Sequence, residues 1–201
     1  MKTDIIIAGV GGQGILSIAT VIGLAAVNRH LNIKQSEVHG MSQRGGAVYS
    51  HLRLSEQPIA SDLISSGKAD LILSVEPMEA LRYLPYLAPD GWLVTNTHPF
   101  VNINNYPDPQ TLMEQLSRLQ NCVLVDADAL ASECGSTKAS NMVMLGAAVP
   151  FLNMNVKEVE KAIHSIFARK GDEVVAMNIC AMQAGLEVAV KTTQNHEVIR
   201  R

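Results

Sequence analysis

Two stretches of this chain combine residue types and spacings that suit the binding of an anionic ligand. The first is Gly9-Val-Gly11-Gly12-Gln13-Gly14, a G-x-G-x-x-G pattern that follows a short apolar run and opens a helix-length one. Glycines at those positions let the backbone turn tightly and bring a phosphate close to the unpaired amides of a helix N-terminus. Such a terminus contributes only about 0.3–2 kcal/mol toward an anion, whereas micromolar dinucleotide binding needs about 8 kcal/mol, so other contacts are required. The usual one is an acidic ribose ligand some way along the chain. The candidate is Glu37, but Lys34-Gln-Ser-Glu37-Val-His39 is polar and lacks a clean second strand ending in that acid. A dinucleotide site and a loop whose glycines merely pack the first helix on a sheet both stay open.

The second stretch is Glu37-Val-His-Gly-Met-Ser-Gln-Arg-Gly-Gly46. Arg44, followed by Gly45 and Gly46, places a guanidinium on a glycine-rich loop suited to a phosphate or carboxylate, with His39 and Gln43 as neighbouring hydrogen-bonding groups. A plain surface turn is the alternative. Elsewhere the histidines show no short metal-ligand spacing, and none of Cys122, Cys134 and Cys180 has another cysteine close by. No zinc or iron-sulfur site is expected in this chain alone. There is no G-x-S-x-G elbow, no Walker lysine loop and no Gly-Asp-Gly motif, so a complete catalytic apparatus is not evident.

The elements that must position these loops follow an alternating order. With 201 residues, 47% hydrophobic and 17% charged, the chain is expected to form one domain over residues 1–191, with a loose tail at 192–201. A net charge of -3 without a basic cluster argues against nucleic acid and anionic membranes as partners. Ile5 to Asn28 carries no charge, yet its glycines break it into a strand, a loop and a helix rather than a membrane span or signal peptide. An odd number of widely spaced cysteines argues against a disulfide framework and suits a reducing compartment, so the cytoplasm is the expected location.

Asp4-Ile-Ile-Ile-Ala-Gly9, Leu71–Val75, Trp92–Asn96 and Cys122–Val125 read as buried parallel strands. Pro77 and Asp108-Pro109 open helices between them, and Asn155 reads as the N-cap of another. After Cys134 the chain reads as helical, over Asn141–Leu152, Asn155–Ala168 and Gly171–Lys191. The pattern predicts an α/β fold: three layers, doubly wound, mostly parallel. Ala47–Leu54 and Ile59–Ser61 read as an antiparallel hairpin added to it. The first helix has no polar face, only Ser17, Thr20 and Asn28, so either another chain or this chain's own C-terminal helices must cover it.

Together, Gly9–Ile15 and Ser36–Gly46 resemble the small (beta) subunit of indolepyruvate ferredoxin oxidoreductase, which is similar to the gamma subunit or domain of the pyruvate and 2-oxoacid ferredoxin oxidoreductases. The likeness extends through Lys138-Ala-Ser-Asn-Met-Val-Met-Leu-Gly-Ala147 to about Val190. It implies that this chain holds no cofactor by itself. A large (alpha) subunit would carry thiamine diphosphate and 4Fe-4S clusters, decarboxylate the 2-oxo acid and reduce ferredoxin, while coenzyme A takes the acyl group. Where the pyruvate-type relatives more often have a phenylalanine and a proline before Arg-Gly-Gly, this chain has Val38-His-Gly-Met-Ser-Gln43, which favours the arylpyruvate branch. Carried over by position, Gly9, Gly11, Gly12, Gln13 and Gly14 form one loop and Arg44, Gly45 and Gly46 a second, near coenzyme A phosphates or the subunit junction. A free-standing Rossmann-type NAD(P) oxidoreductase and an orphan chain that dimerises with itself are the competing readings.

Overall fold

Ile5, Ile6 and Ile7 are wholly inaccessible to solvent, because the first strand, β1 (Lys2–Val10), runs through the middle of a six-stranded sheet. The computed structural model describes residues 1–39, 46–101 and 103–199, with side chains at all of these except 39 and 196–199. Four strands are parallel: β1, β4 (Ala69–Ser74), β5 (Leu87–Asn96) and β6 (Cys122–Val125). Two more, β2 (Asn32–His39) and β3 (Ala47–Ser55), form an antiparallel hairpin that pairs with β1 through β3. The order across the sheet is β2-β3-β1-β4-β5-β6. This is the expected α/β sheet, mostly parallel.

The hairpin partner differs from expectation. Ile59–Ser61 does not pair with β3; the carbonyl of Ala60 accepts from Lys34 Nζ at 3.1 Å, and those of Ser61 and Leu63 accept from Arg53 Nη1 at 2.9 and 3.1 Å. Side chains, not a strand ladder, satisfy that segment. The true partner is the polar Asn32–His39. Only Ile33 and Val38 in it are apolar, and they point to opposite faces of an edge strand, so no hydrophobic alternation marks it.

Helices cover both faces. On one, α1 (Ile15–Asn28), α4 (Ala127–Glu133), α5 (Ser140–Ala148), α6 (Val156–Phe167) and α7 (Asp172–Ile199) build the larger core. On the other, α2 (Pro77–Tyr83) and α3 (Pro109–Ser117) build a smaller one around Ile6, Ile72 and Leu93. Pro77 and Pro109 begin their helices, and Asn155 closes a capping box with Glu158 at the start of α6. The last helix continues past Lys191, through the segment expected as a tail, to Ile199.

Two findings concern what holds the helical layer together. The apolar first helix is covered by α5 and α6 of its own chain, with Arg29 at its end donating to the Asn153 carbonyl at 2.6 Å. Leu16 and Val27 remain exposed on it. The second is a correction: Cys134 and Cys180 form a disulfide, with Cα atoms 5.8 Å apart. Sequence separation hid it, because only the packing of the C-terminal helices brings the two ends together.

Candidate crevice at the carboxyl ends of the parallel strands

Because α1 leaves β1 toward one face of the sheet and α2 leaves the adjacent β4 toward the other, the chain has a topological switch point between these strands. A crevice opens there by construction, and in doubly wound sheets it is where ligands bind. Two adjoining cavities fill it, of about 190 Å³ and about 280 Å³, sharing Gln13, Asp128 and Ser140 as walls.

The glycine loop forms one side, and its residues do different jobs. Gly12 and Gly14 have φ of +100° and +81°, a region that favours glycine. Gly9 is demanded by packing, since a Cβ there would lie 2.3 Å from Val75 Cγ2. At Gly14 an added Cβ would lie 2.4 Å from the Asn141 amide nitrogen, which instead donates to the Gly14 carbonyl at 3.3 Å. Gln13 closes the loop internally: its Oε1 accepts from the Val10 amide at 2.8 Å. The first turn of α1 has no side-chain cap among the described residues and no acidic residue, which leaves its positive end directed at the crevice.

Of the second motif, Arg44, Gly45 and Gln43 lie outside the described residues, and so does the His39 side chain. Gly46 is described, and its carbonyl accepts from the Gly11 amide at 2.9 Å. The two motifs therefore meet. Glu37 does not reach the loop in the manner of a ribose ligand: it lies inside edge strand β2, opposite Ser50 of β3, and antiparallel β3 occupies the place beside β1. The dinucleotide reading loses its acid through this strand order.

The opposite side of the crevice holds residues that sequence patterns alone did not single out. Thr137, Lys138, Ser140 and Asn141 line it from the turn into α5. Asn96, at the end of β5, is buried and braces the next connection: its Oδ1 accepts from the amides of His98 and Ala127, and its Nδ2 donates to Asp128 Oδ2 at 3.1 Å. Glu76, fully buried at the end of β4, caps α2 by accepting from the Glu79 amide at 2.9 Å. Its other oxygen accepts from the Phe100 amide at 3.3 Å and from the Tyr106 hydroxyl, which fastens the segment whose His98, Pro99 and Phe100 wall the smaller cavity. Burial first, and then this bond to Glu76, raise the Tyr106 hydroxyl above its ordinary pKa. One signal could have pointed here: Asn96 and Glu76 are polar residues directly after apolar strand runs, where binding groups collect. Among the described residues no group of three or more His, Cys, Asp or Glu side chains is gathered as for a metal.

The crevice thus offers glycine-loop amides on one side, a lysine on the other, and a braced carboxylate between the cavities. Such a set can hold a phosphate-bearing ligand, and among the described residues no nucleophile, base and orienting group are gathered there.

A doubly wound α/β binding domain with a hairpin inserted beside β1 is the class that fold and crevice define. Residues 4–188 match the model of the pyruvate ferredoxin/flavodoxin oxidoreductase family, and the chain belongs to that family. It is 32% identical over 199 residues to indolepyruvate oxidoreductase subunit IorB of Archaeoglobus fulgidus, covering 94% of this chain and 96% of that one. It is 34% identical over 196 residues to the subunit of the same name from Pyrococcus horikoshii, covering 92% and 95%. In fold it matches the gamma subunit of keto/oxoacid ferredoxin oxidoreductase from Geobacter sulfurreducens, with a TM-score of 0.67 at 23% identity over 94% of this chain and 99% of that one. It also matches part of 2-oxoglutarate:ferredoxin oxidoreductase from Magnetococcus marinus, a structure with 2-oxoglutarate, coenzyme A and succinyl-CoA bound (TM-score 0.76, 21% identity, 94% of this chain). The chain spans 31% of that larger polypeptide. The resemblance drawn from the two glycine motifs is borne out at the level of family and fold.

Proposed function

We propose that this chain is the small subunit of an indolepyruvate, or more broadly arylpyruvate, ferredoxin oxidoreductase complex. It supports the thiamine-dependent oxidative decarboxylation of 2-oxo acids to acyl-CoA, with electrons passed to ferredoxin. Thiamine diphosphate and the 4Fe-4S clusters belong to the large subunit, and coenzyme A is the co-substrate. The isolated chain is inactive, and the complex works in the cytoplasm. Similarity to IorB subunits along nearly the full length supports the large-subunit partner and favours an arylpyruvate substrate.

Within that complex, the crevice takes the phosphates of coenzyme A. The observation that carries this reading is the junction of the two motifs: the Gly11 amide donates to the Gly46 carbonyl across from Lys138, at the rim where α1 begins. The amides at the start of α1, with Lys138 lining the same cavity, suit a pyrophosphate. The glycine loop fits that group: among the described residues nothing lies within 4 Å of a Cβ built at Gly12, which leaves room for close approach.

The test is kinetic. In the assembled complex, Lys138→Ala and Arg44→Ala each raise the half-saturating coenzyme A concentration by about tenfold, roughly the 1.4 kcal/mol of one charge-assisted contact, and leave that of the oxo acid unchanged. Weakened assembly in Arg44→Ala would put its loop at the subunit junction instead. Unchanged kinetics with unchanged assembly for both variants would overturn the assignment.

A further inference from the structure

The disulfide between Cys134 and Cys180 is placed where it acts on the crevice. Cys134 ends α4, and Asp128 near the start of that helix lines both cavities. After Cys134 the chain turns at Gly135 (φ +105°), and Ser136 caps the short turn that carries Thr137 and Lys138. Asn141 follows and grips Gly14. One wall of the crevice, from Asp128 to Asn141, is therefore strung between the disulfide at its middle and the glycine loop at its end.

Asn96 fixes the start of α4, through the Ala127 amide and Asp128, and the far end of the helix is held more lightly. The helix has seven residues and buries only Ala127 and Ala131. With Leu130 only half-buried on the core, the apolar area there is modest, and the covalent tie to α7 adds to what holds the C-terminal end. The tie is also accessible, Cys180 being exposed and Cys134 half-buried. Exposed disulfides are the ones that exchange with thiols, and in a reducing compartment such pairs are mostly sensing or catalytic.

We propose that Cys134 and Cys180 form a reversible dithiol–disulfide site, open to a dithiol reductant, whose oxidised state fixes the crevice wall from Asp128 to Asn141. A thiolate of the reductant attacks Sγ of Cys180, the more exposed residue of the pair. The protein S–S bond breaks, Cys134 departs as a thiolate and takes up a proton. The reductant's second thiolate attacks the mixed disulfide, Cys180 is released and protonated, and the reductant leaves as its own disulfide. Two electrons and two protons pass to the protein.

Cys122 makes the test decisive. It is buried in β6, burial pushes its thiol pKa up to about 12, and it reacts only when the fold opens. The full chain is equilibrated in buffers of graded reduced and oxidised dithiothreitol and labelled with a maleimide, and the label is located by mass spectrometry. We expect Cys134 and Cys180 to become labelled together in a single two-electron transition, with Cys122 untouched. Hydrogen exchange of amides between 128 and 141 is expected to speed up by tenfold or more on reduction, and equally in a Cys134→Ser/Cys180→Ser variant. Labelling of Cys134 and Cys180 only under conditions that also label Cys122 would overturn the proposal, as would exchange in that segment that stays within twofold after reduction.

Discussion

The amide of Gly11 donates to the carbonyl of Gly46 at 2.9 Å, and this one hydrogen bond joins the loop after β1 to the start of β3. Because β3 pairs with β1 along its whole length, from Lys2 opposite Ser55 to Val10 opposite Ala47, the two glycine-rich motifs are held at one place by the sheet itself. They do not depend on a ligand to bring them together.

Gly14 is under a double constraint, from its φ of +81° and from the Asn141 side chain. Gly14→Ala is expected to destabilise the chain by about 1–3 kcal/mol, from backbone strain and from displacement of Asn141. Adding Asn141→Ala should recover the displacement part and leave the strain. Urea unfolding of the single and double variants measures both; equal stabilities for Gly14→Ala and the parent would remove the claimed constraint.

The crossing of α5 and α7 depends on two glycines in contact with backbone rather than side chains. A Cβ at Gly146 would sit 1.8 Å from the Met182 carbonyl oxygen, and one at Gly185 would sit 1.9 Å from that of Val143. Neither neighbour can swing aside. Alanine at either position should cost about 3 kcal/mol or more, the upper end of overpacking penalties, whereas Gly23→Ala in α1, where a Cβ meets nothing within 4 Å, should be neutral or stabilising. Thermal midpoints of the three variants give the comparison.

His51 is buried among Tyr49 and Tyr86, and its Nδ1 accepts from the Ile64 amide at 3.0 Å. Burial foremost, and Arg53 in addition, lower its pKa below 6.5, against the opposing pull of Asp62. The unfolded chain then takes up a proton at a higher pH than the folded one. Stability is therefore full above pH 6.5 and falls as the pH drops from there toward the folded-state value. His51→Gln keeps an acceptor but does not titrate, so its melting temperature should decline less than the parent's between pH 7.5 and pH 5.5. Parallel declines would remove His51 from the account.

Asp4 shows the opposite arrangement. Burial raises its pKa, but the Arg53 guanidinium, bound through Nε at 2.8 Å and Nη2 at 3.0 Å, and Lys2 together outweigh it and hold the carboxyl below 3.8. Its contribution is complete above that pH and is lost as the pH falls through the lowered value. Asp4→Asn leaves Arg53 without its carboxylate and should cost about 3 kcal/mol at pH 7, measured by denaturant titration.

The sequence revealed the parallel part of the sheet well, because Ile5–Ala8 and Leu71–Leu73 are buried on both faces, Cys122–Val125 is buried but for Leu124, and all three read as unbroken apolar runs. It revealed the helix starts at Pro77, Pro109 and Asn155 for the same kind of local reason. Edge strand β2 stayed hidden because an edge needs little apolar side chain, and pairing with β3 overrode local preference. Within the crevice, the glycine loop was readable from spacing. Asn96, Asp128 and Asn141 were not, since each gains its role only from partners distant in the chain. The disulfide was missed on the same ground.

The proposed function makes this chain a subunit that requires a larger partner. Its most direct test is co-expression of a tagged copy with the large subunit from the same source, followed by affinity purification under anaerobic conditions and an assay of arylpyruvate-dependent ferredoxin reduction in the presence of coenzyme A. The account predicts a brown complex that is active only with both chains present. A large subunit fully active without this chain, or a colourless chain that purifies alone and binds NAD(P) saturably, would contradict it.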